Sequence, residues 1–286
     1  MIDRLNTDKW LKRFELNEFP EPEIVQLRHP VLLCHGYGAI ASIVKPSPLF
    51  DVALLLRSHN VLAYAPNIVP YAKIETRAEG WVKLIKELTR KIPSGKVNIV
   101  AHSMGGLDMR YALSNLDVAQ HVASFTTVST PHRGTSLAEF TLKTPDAIRD
   151  KLADFLDWMG DRIYPHTKSD SVASAAQLTR AYVTEVFNPA TPNVADITYY
   201  SYTSAVGKGT SEPIRVIARY QNKHIYDLEG PNDGMVSVES AKWGEHIETS
   251  KLSHLEQMNL RIKDDREALY HSFWLDVVKM LETKGH

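Results

Sequence analysis

The sequence predicts an α/β protein with a mostly parallel central sheet and helices on both faces. Two observations carry the expectation. Short apolar, β-rich runs recur as "HPVLLCHG" (29–36), "NVLAYAPN" (60–67), "KVNIVAHS" (96–103), "VASFTTVSTP" (122–131) and "TYYSYTSAV" (198–206). Between them lie helical patterns at about 48–58, 75–92 and 104–116. Strand and helix in alternation call for parallel strands joined by crossover helices. Strands covered on both faces read as nearly unbroken apolar runs, as these do.

The helices follow from periodicity. In the segment 75–92, Ile74, Trp81, Leu84, Ile85, Leu88 and Ile92 form a stripe at helical spacing, and Pro93 and Gly95 stop it. At the C-terminal end Leu269, Phe273, Trp274, Val277, Val278 and Leu281 repeat the pattern before Gly285. The stretch 134–197 breaks the alternation, being helical in pattern without a convincing strand. Within it Ile148, Leu152, Phe155, Leu156, Met159 and Ile163 share one face, while Asp146, Asp150, Asp154, Asp157 and Asp161 crowd the other. Two expectations stand open there, a helix packed permanently over the core and a mobile cover over a site.

With 286 residues, the chain fits one large domain over 1–286, carrying a helical insertion at about 134–197. Hydrophobic residues make up 43% and charged residues 23%, a composition that argues against a disordered or fibrous chain. Lys plus Arg total 33 against 34 for Asp plus Glu, so no basic excess points to nucleic acid. The one cysteine, Cys34, has no intrachain partner and sits among Val31, Leu32 and Leu33, as a buried strand thiol would. The N-terminal stretch lacks the apolar core of a signal peptide, and Asp3 and Asp8 argue against an organellar transit sequence. No apolar run reaches the roughly 18 residues needed to span a bilayer. The expected setting is cytoplasmic, or peripheral on a lipid surface.

The stretch "VNIVAHSMGG" (97–106) raises the question of function. A serine at the junction of a buried strand and a helix projects its hydroxyl above the C-terminal edge of the sheet. So sharp a bend needs small residues two positions before and after it, and Ala101 and Gly105 occupy them. Gly106 gives further clearance, while Ala101 stands where the usual pattern has glycine. A serine hydroxyl needs a base within reach and a group that orients the base, and on this architecture both follow later in the chain. Asp233, in "EGPNDGMVSVESAKWG" after an expected helix at 214–226, is the candidate carboxylate, and His254, in "LSHLEQMN", the candidate base. An Asp-Gly turn and a surface histidine are the plainer readings of these two. His246 is the strongest rival for the base, ahead of His224 and His271. Charge developing on a carbonyl oxygen needs fixed N–H donors. The Met104 amide, at a helix start, is one candidate, and the Tyr37 amide, after the His35–Gly36 turn, is the other.

Five blocks in order, "HGYG", "VNIVAHSMGGLDMRY", "STPHRGTSLAEF", "PNDGMVSVESAKWG" and "HLEQMN", resemble the triacylglycerol lipases of the α/β-hydrolase superfamily. The pattern is similar to that of true bacterial lipases and a related fungal group. The resemblance implies an α/β-hydrolase fold with a lid between 134 and 197. It also implies Ser103 as nucleophile, Asp233 as acid, His254 as base, and the Tyr37 and Met104 amides as the oxyanion hole. Many bacterial members hold calcium through an aspartate two residues after the catalytic histidine, whereas Glu256 stands there in this chain; no metal is expected. The "TPHRG" block, with His132 and Arg133, is expected to be a structural turn. The expected activity is hydrolysis of carboxylic esters, glycerides with fatty acyl chains above all, through an acyl-enzyme and without a cofactor. It should fall as pH drops through roughly 6 to 7, where an ordinary histidine base protonates. A thioesterase, phospholipase or acyltransferase would use the same groups, and a non-catalytic binding protein is the reading from another class.

Overall fold

A computed structural model describes residues 23–37, 46–143, 169–260 and 266–286. Its centre is a six-stranded sheet, entirely parallel, in the order β2-β1-β3-β4-β5-β6. The strands are β1 (Val31–Cys34), β2 (Ala63–Tyr64), β3 (Val97–His102), β4 (Val122–Val128), β5 (Thr198–Ser204) and β6 (Glu245–Ser250). The helices, in chain order, are α1 (Phe50–Ser58), α2 (Ile74–Thr89), α3 (Gly105–Asn115), α4 (Ser136–Leu142), α5 (Ser171–Ala176), α6 (Arg219–Glu229) and α7 (Glu267–Thr283), with single turns between some of them.

Alternate side chains of the apolar strands feed two cores. Val31, Leu33 and Val100 point to one face, where Leu56 of α1 and Trp274, Val277 and Val278 of α7 cover them. Leu32, Cys34 and Ile99 point to the other, under Trp81 and Ile85 of α2 and Met109 of α3. The stripes read from sequence on α2 and α7 are thus the faces that close the two sides. Cys34 is buried, as its neighbours implied. Burying side chains of this size stabilises by roughly 1.5–3 kcal/mol each, which sets the scale on which the sheet is held between its helices.

Five of the six strands lie inside the expected runs, though β2 is only Ala63–Tyr64, the chain leaving the sheet before Pro66. β6 was not expected. Its "EHIETS" sequence carries no apolar run because it is the edge of the sheet, largely exposed along its length. The helix expected at 214–226 is displaced to Arg219–Glu229. A single tight turn, Val216–Ala218, precedes it, and Gly230, at φ 88°, ends it. Val216 and Ile217 imitate the start of an apolar stripe in sequence, yet both side chains face outward at 75% and 89% exposure. Of the expected insertion, α4, α5 and the wide helical turn Tyr182–Phe187 are described. The amphipathic face built on Ile148, Leu152, Phe155, Leu156, Met159 and Ile163 lies outside the described residues.

Candidate active site

Ser103 follows the last residue of β3 and is separated from α3 only by Met104. Its φ of 58° lies in the left-handed region, where a non-glycine side chain is strained. The bend is pinned from several sides: Ser103 N–H donates to Val128 O at 2.9 Å, while Ser103 O accepts from Gly106 N at 3.0 Å and from Thr130 Oγ1 at 2.8 Å. The surrounding glycines are required by space. A Cβ on Gly36 would lie 2.6 Å from Ser103 Cβ and 2.8 Å from Met104 N, and one on Gly105 would lie 2.6 Å from Cys34 O. On Gly106 it would meet Thr130 Oγ1 at 2.1 Å. Ala101 sits fully buried in β3, beside Cys34 of β1 and Thr127 of β4, so its methyl is taken up by the core.

Asp233 and His254, 21 residues apart, meet. His254 Nδ1–H donates to Asp233 Oδ2 at 2.7 Å, and the His254 amide donates to Asp233 O at 3.0 Å. Asp233 Oδ1 accepts from the amides of Met235 at 2.9 Å and Val236 at 2.8 Å. Burial opposes its charge, but the imidazole beside it and these hydrogen bonds outweigh burial and hold the carboxyl below its usual range. An ionised Asp233 fixes the proton of His254 on Nδ1 and leaves Nε2 as the basic nitrogen. The turn itself rests on a buried amide pair: Asn222 Nδ2 donates to Asn232 Oδ1 at 2.8 Å, and Asn232 Oδ1 also accepts from Gly234 N at 2.9 Å.

The imidazole of His254 packs on that of His102, ring centroids 4.5 Å apart, and His102 is the residue immediately before Ser103. Gln257 orients His102. Its Nε2 donates to Ser129 Oγ at 2.9 Å, so its Oε1 must accept from His102 Nε2–H, also at 2.9 Å. Burial and the neighbouring His254 push His102 down to about 3, which keeps it neutral beside the candidate base. Ser103 Oγ and His254 Nε2 are not hydrogen-bonded to each other in this arrangement. Such contacts are commonly long in substrate-free sites and tighten when substrate binds. A cleft lined by Ile214, Ala218, Gln221, Met235 and Leu255 opens onto Asp233 and His254.

On the oxyanion side, Met104 is buried at the start of α3, and its amide has no acceptor among the described residues, as expected of a donor in the first turn of a helix. Tyr37 follows the Gly36 turn, its ring edge-on to Tyr71 at 5.0 Å. The rival histidines lie elsewhere. His246 is on β6 and bonds Thr203 Oγ1 at 3.1 Å, His224 packs on Phe140 at 5.1 Å, and His271 pairs with Glu267 on α7. His132 of the "TPHRG" block is buried, stacked on Trp243 at 5.2 Å, and Arg133 caps the carbonyls of Glu239 and Lys242. Both hold structure together.

Glu256 is fully buried and its carboxylate is taken. Oε1 accepts from Arg266 Nε at 2.8 Å and Oε2 from Ser253 N at 2.7 Å, which ties both ends of the His254 turn to one arginine. Sequence reasoning did not single out Arg266, Gln257, His102 or Arg77, all polar groups buried around the site. Only contacts distant in sequence reveal them.

Comparisons with known proteins identify the family to which this fold belongs. A family model described as the alpha/beta hydrolase fold matches residues 29–182. The chain is 28% identical over 264 residues to triacylglycerol lipase 2 of Saccharomyces cerevisiae, a match spanning 82% of this chain and 73% of that one. It is 31% identical over 165 residues to a triacylglycerol lipase of Pseudarthrobacter phenanthrenivorans, spanning 54% of this chain and 51% of that one. With a triacylglycerol lipase of Pseudomonas fragi the identity is 24% over 293 residues, covering 91% and 98%. The crystal structure of Staphylococcus hyicus lipase is similar at a TM-score of 0.70 and 18% identity, covering 92% of this chain and 97% of that one. This structural likeness shows a shared fold.

Gly36→Ala is expected to cripple the site, since its methyl must displace Ser103 or Met104; a fluorophosphonate probe should label the variant at least about tenfold more slowly than wild type. Stability should fall on mild acidification. His35 and His102 are held at about 3 and His132 well below its ordinary 6.5, so below 6.5 the unfolded chain binds protons that the folded one refuses. Asp108, raised to about 6 from 3.8, works the other way between those values, taking up one proton in the folded state. The net excess of about two protons on the unfolded chain corresponds to a loss of about 3 kcal/mol per pH unit, to be read from urea midpoints at about pH 6 and about pH 5.

Proposed function

The chain belongs to the α/β-hydrolase fold family, and we propose that it is a serine carboxylic-ester hydrolase of the triacylglycerol lipase kind, with Ser103 as nucleophile, His254 as base and Asp233 as the acid that orients it. One observation carries the reading: the 2.7 Å bond between Asp233 and His254, whose ring lies against the residue preceding a serine held at a strained bend. The relatives named above as triacylglycerol lipases support fatty acyl esters as the substrate class.

In this mechanism His254 Nε2 takes the proton of Ser103 Oγ as that oxygen attacks the ester carbonyl. The amides of Met104 and Tyr37 receive the negative charge that develops on the carbonyl oxygen. Asp233 stabilises the imidazolium that forms. The tetrahedral adduct collapses, the alcohol leaves with the proton from His254, and an acyl ester remains on Ser103. Water, deprotonated by the same nitrogen, attacks that ester and releases the fatty acid. No step calls for a cofactor.

Contact with a lipid surface belongs to the same proposal. Val216, Ile217 and Tyr220 stand out at 75%, 89% and 69% exposure, directly beyond Ile214 and Ala218 of the cleft wall. From 214 to 226 the chain carries Arg215, Arg219 and Lys223 and no acidic side chain, although Asp227 pairs with Lys223. An apolar projection flanked by cations fits an interface with anionic headgroups, and docking through it would turn the cleft toward that interface. Among the described residues no helix is long and apolar enough to cross a membrane.

Ser103→Ala and His254→Ala should abolish ester hydrolysis and Asp233→Asn should lower kcat by about ten-thousand-fold, while His246→Ala stays near wild type. An inactive His246→Ala beside an active His254→Ala would overturn the assignment of the base. Replacing Val216 and Ile217 together by serine should weaken sedimentation with phosphatidylserine-containing vesicles by about tenfold or more, with hydrolysis of a dissolved short-chain ester unchanged.

A further inference from the structure

We propose that Arg77 is a positioning residue of the oxyanion hole, a single guanidinium that orients the Tyr37 peptide and ties it to the helix that carries Met104. The proposal rests on the reading of those two amides as the oxyanion donors.

Arg77 lies on α2, and its side chain is entirely buried. Every nitrogen of its guanidinium is engaged. Nε donates to Asp108 Oδ2 at 2.9 Å, and one terminal nitrogen donates to Val69 O at 2.7 Å and Pro70 O at 3.2 Å. The other donates to His35 O at 2.7 Å and Gly36 O at 3.1 Å. A lone carboxylate would suffice to neutralise a buried cation. Here most of the donors go instead to backbone carbonyls of two loops, and one of those loops is the turn before Tyr37.

A trans peptide points its C=O and N–H in opposite directions. Gly36 O belongs to the same peptide plane as Tyr37 N–H. Two donors hold that oxygen, Arg77 at 3.1 Å and His35 Nδ1 at 2.9 Å. His35 Nε2 accepts from Ile68 N–H at 3.2 Å, which fixes the proton on Nδ1, and burial with the adjacent Arg77 keeps this imidazole neutral, at about 3. With its oxygen gripped on the Arg77 side, the plane must turn Tyr37 N–H away from α2. Gly36 meanwhile presses on the elbow so closely that a Cβ there would sit 2.8 Å from Met104 N.

The second link runs through Asp108, in the first turn of α3, four residues beyond Met104. Asp108 Oδ2 also accepts from Trp81 Nε1 at 3.3 Å, and Trp81 packs edge-on against His35 with centroids 5.5 Å apart. One guanidinium thus indexes the loop donor against the helix donor, so the two amides keep their spacing while charge builds between them. Lysine offers a single point of contact where arginine offers a planar fork, and it cannot span Asp108 and both loops.

The test compares Arg77→Lys and Arg77→Met with wild type on a dissolved short-chain ester, together with inhibition by an alkyl trifluoromethyl ketone, which forms a charged tetrahedral adduct with serine. Folding is checked by near-ultraviolet circular dichroism. The expected result is a folded Arg77→Lys whose kcat falls about a hundredfold with KM nearly unchanged, and whose affinity for the ketone falls by a similar factor. A folded variant that loses thermal stability alone, with kcat and ketone affinity intact, overturns the proposal. If neither Arg77 variant folds, Asp108→Asn and Trp81→Phe loosen the guanidinium without removing it. The same selective loss of kcat and ketone affinity then supports the proposal, and full kcat in both overturns it. Failure of the underlying function has a different signature, a wild-type chain that hydrolyses no ester at all.

Discussion

The close approach of two backbones at the top of β3 is the constraint on which the site depends. Ser103 is held in a left-handed conformation, and Gly36 and Gly105 bring the neighbouring loop and helix to distances no side chain would allow. Both cores serve that approach. Trp81 and Ile85 press α2 onto one face of the sheet, while Trp274 and Leu56 close the other, so the strand ends cannot drift apart. The strain at the serine is local, and the packing that over-determines it is distributed through the sheet.

The polar half of the site is built by a different logic. Its imidazoles are buried, and each is given one tautomer by a neighbour of fixed polarity: Gln257 for His102, the Ile68 amide for His35, and Asp233 for His254. His102 and His35 are forced to stay neutral, so no positive charge competes for Asp233 or repels a protonated His254. Burial that would be a cost elsewhere here keeps the charge state of the site well defined.

Much of this was legible in the sequence, for particular reasons. The central strands announce themselves because they are covered on both faces, and Ser103 because its neighbours must be small. Asp233 and His254 could be named from their turns and their order in the chain. β6 was hidden because an edge strand needs no apolar run, and "EHIETS" has none. The helix expected at 214–226 began too early, because Val216 and Ile217 are apolar in sequence yet face outward in a separate tight turn. Arg77 and Arg266 gave no signal, since an arginine in a helix or at its start reads as a solvated surface group until a carboxylate or carbonyl from a remote segment is brought to it. These are tertiary facts, and no local pattern encodes them.

The pairing of Glu256 with Arg266 carries one more implication. The turn bearing His254 is braced by a positive charge that is covalently part of the polypeptide, supplied by the residue immediately before α7. A brace of that kind cannot be washed out or sequestered, and its occupancy does not follow the mineral content of the surroundings. What fastens this turn is inherited with the chain rather than gathered from solution.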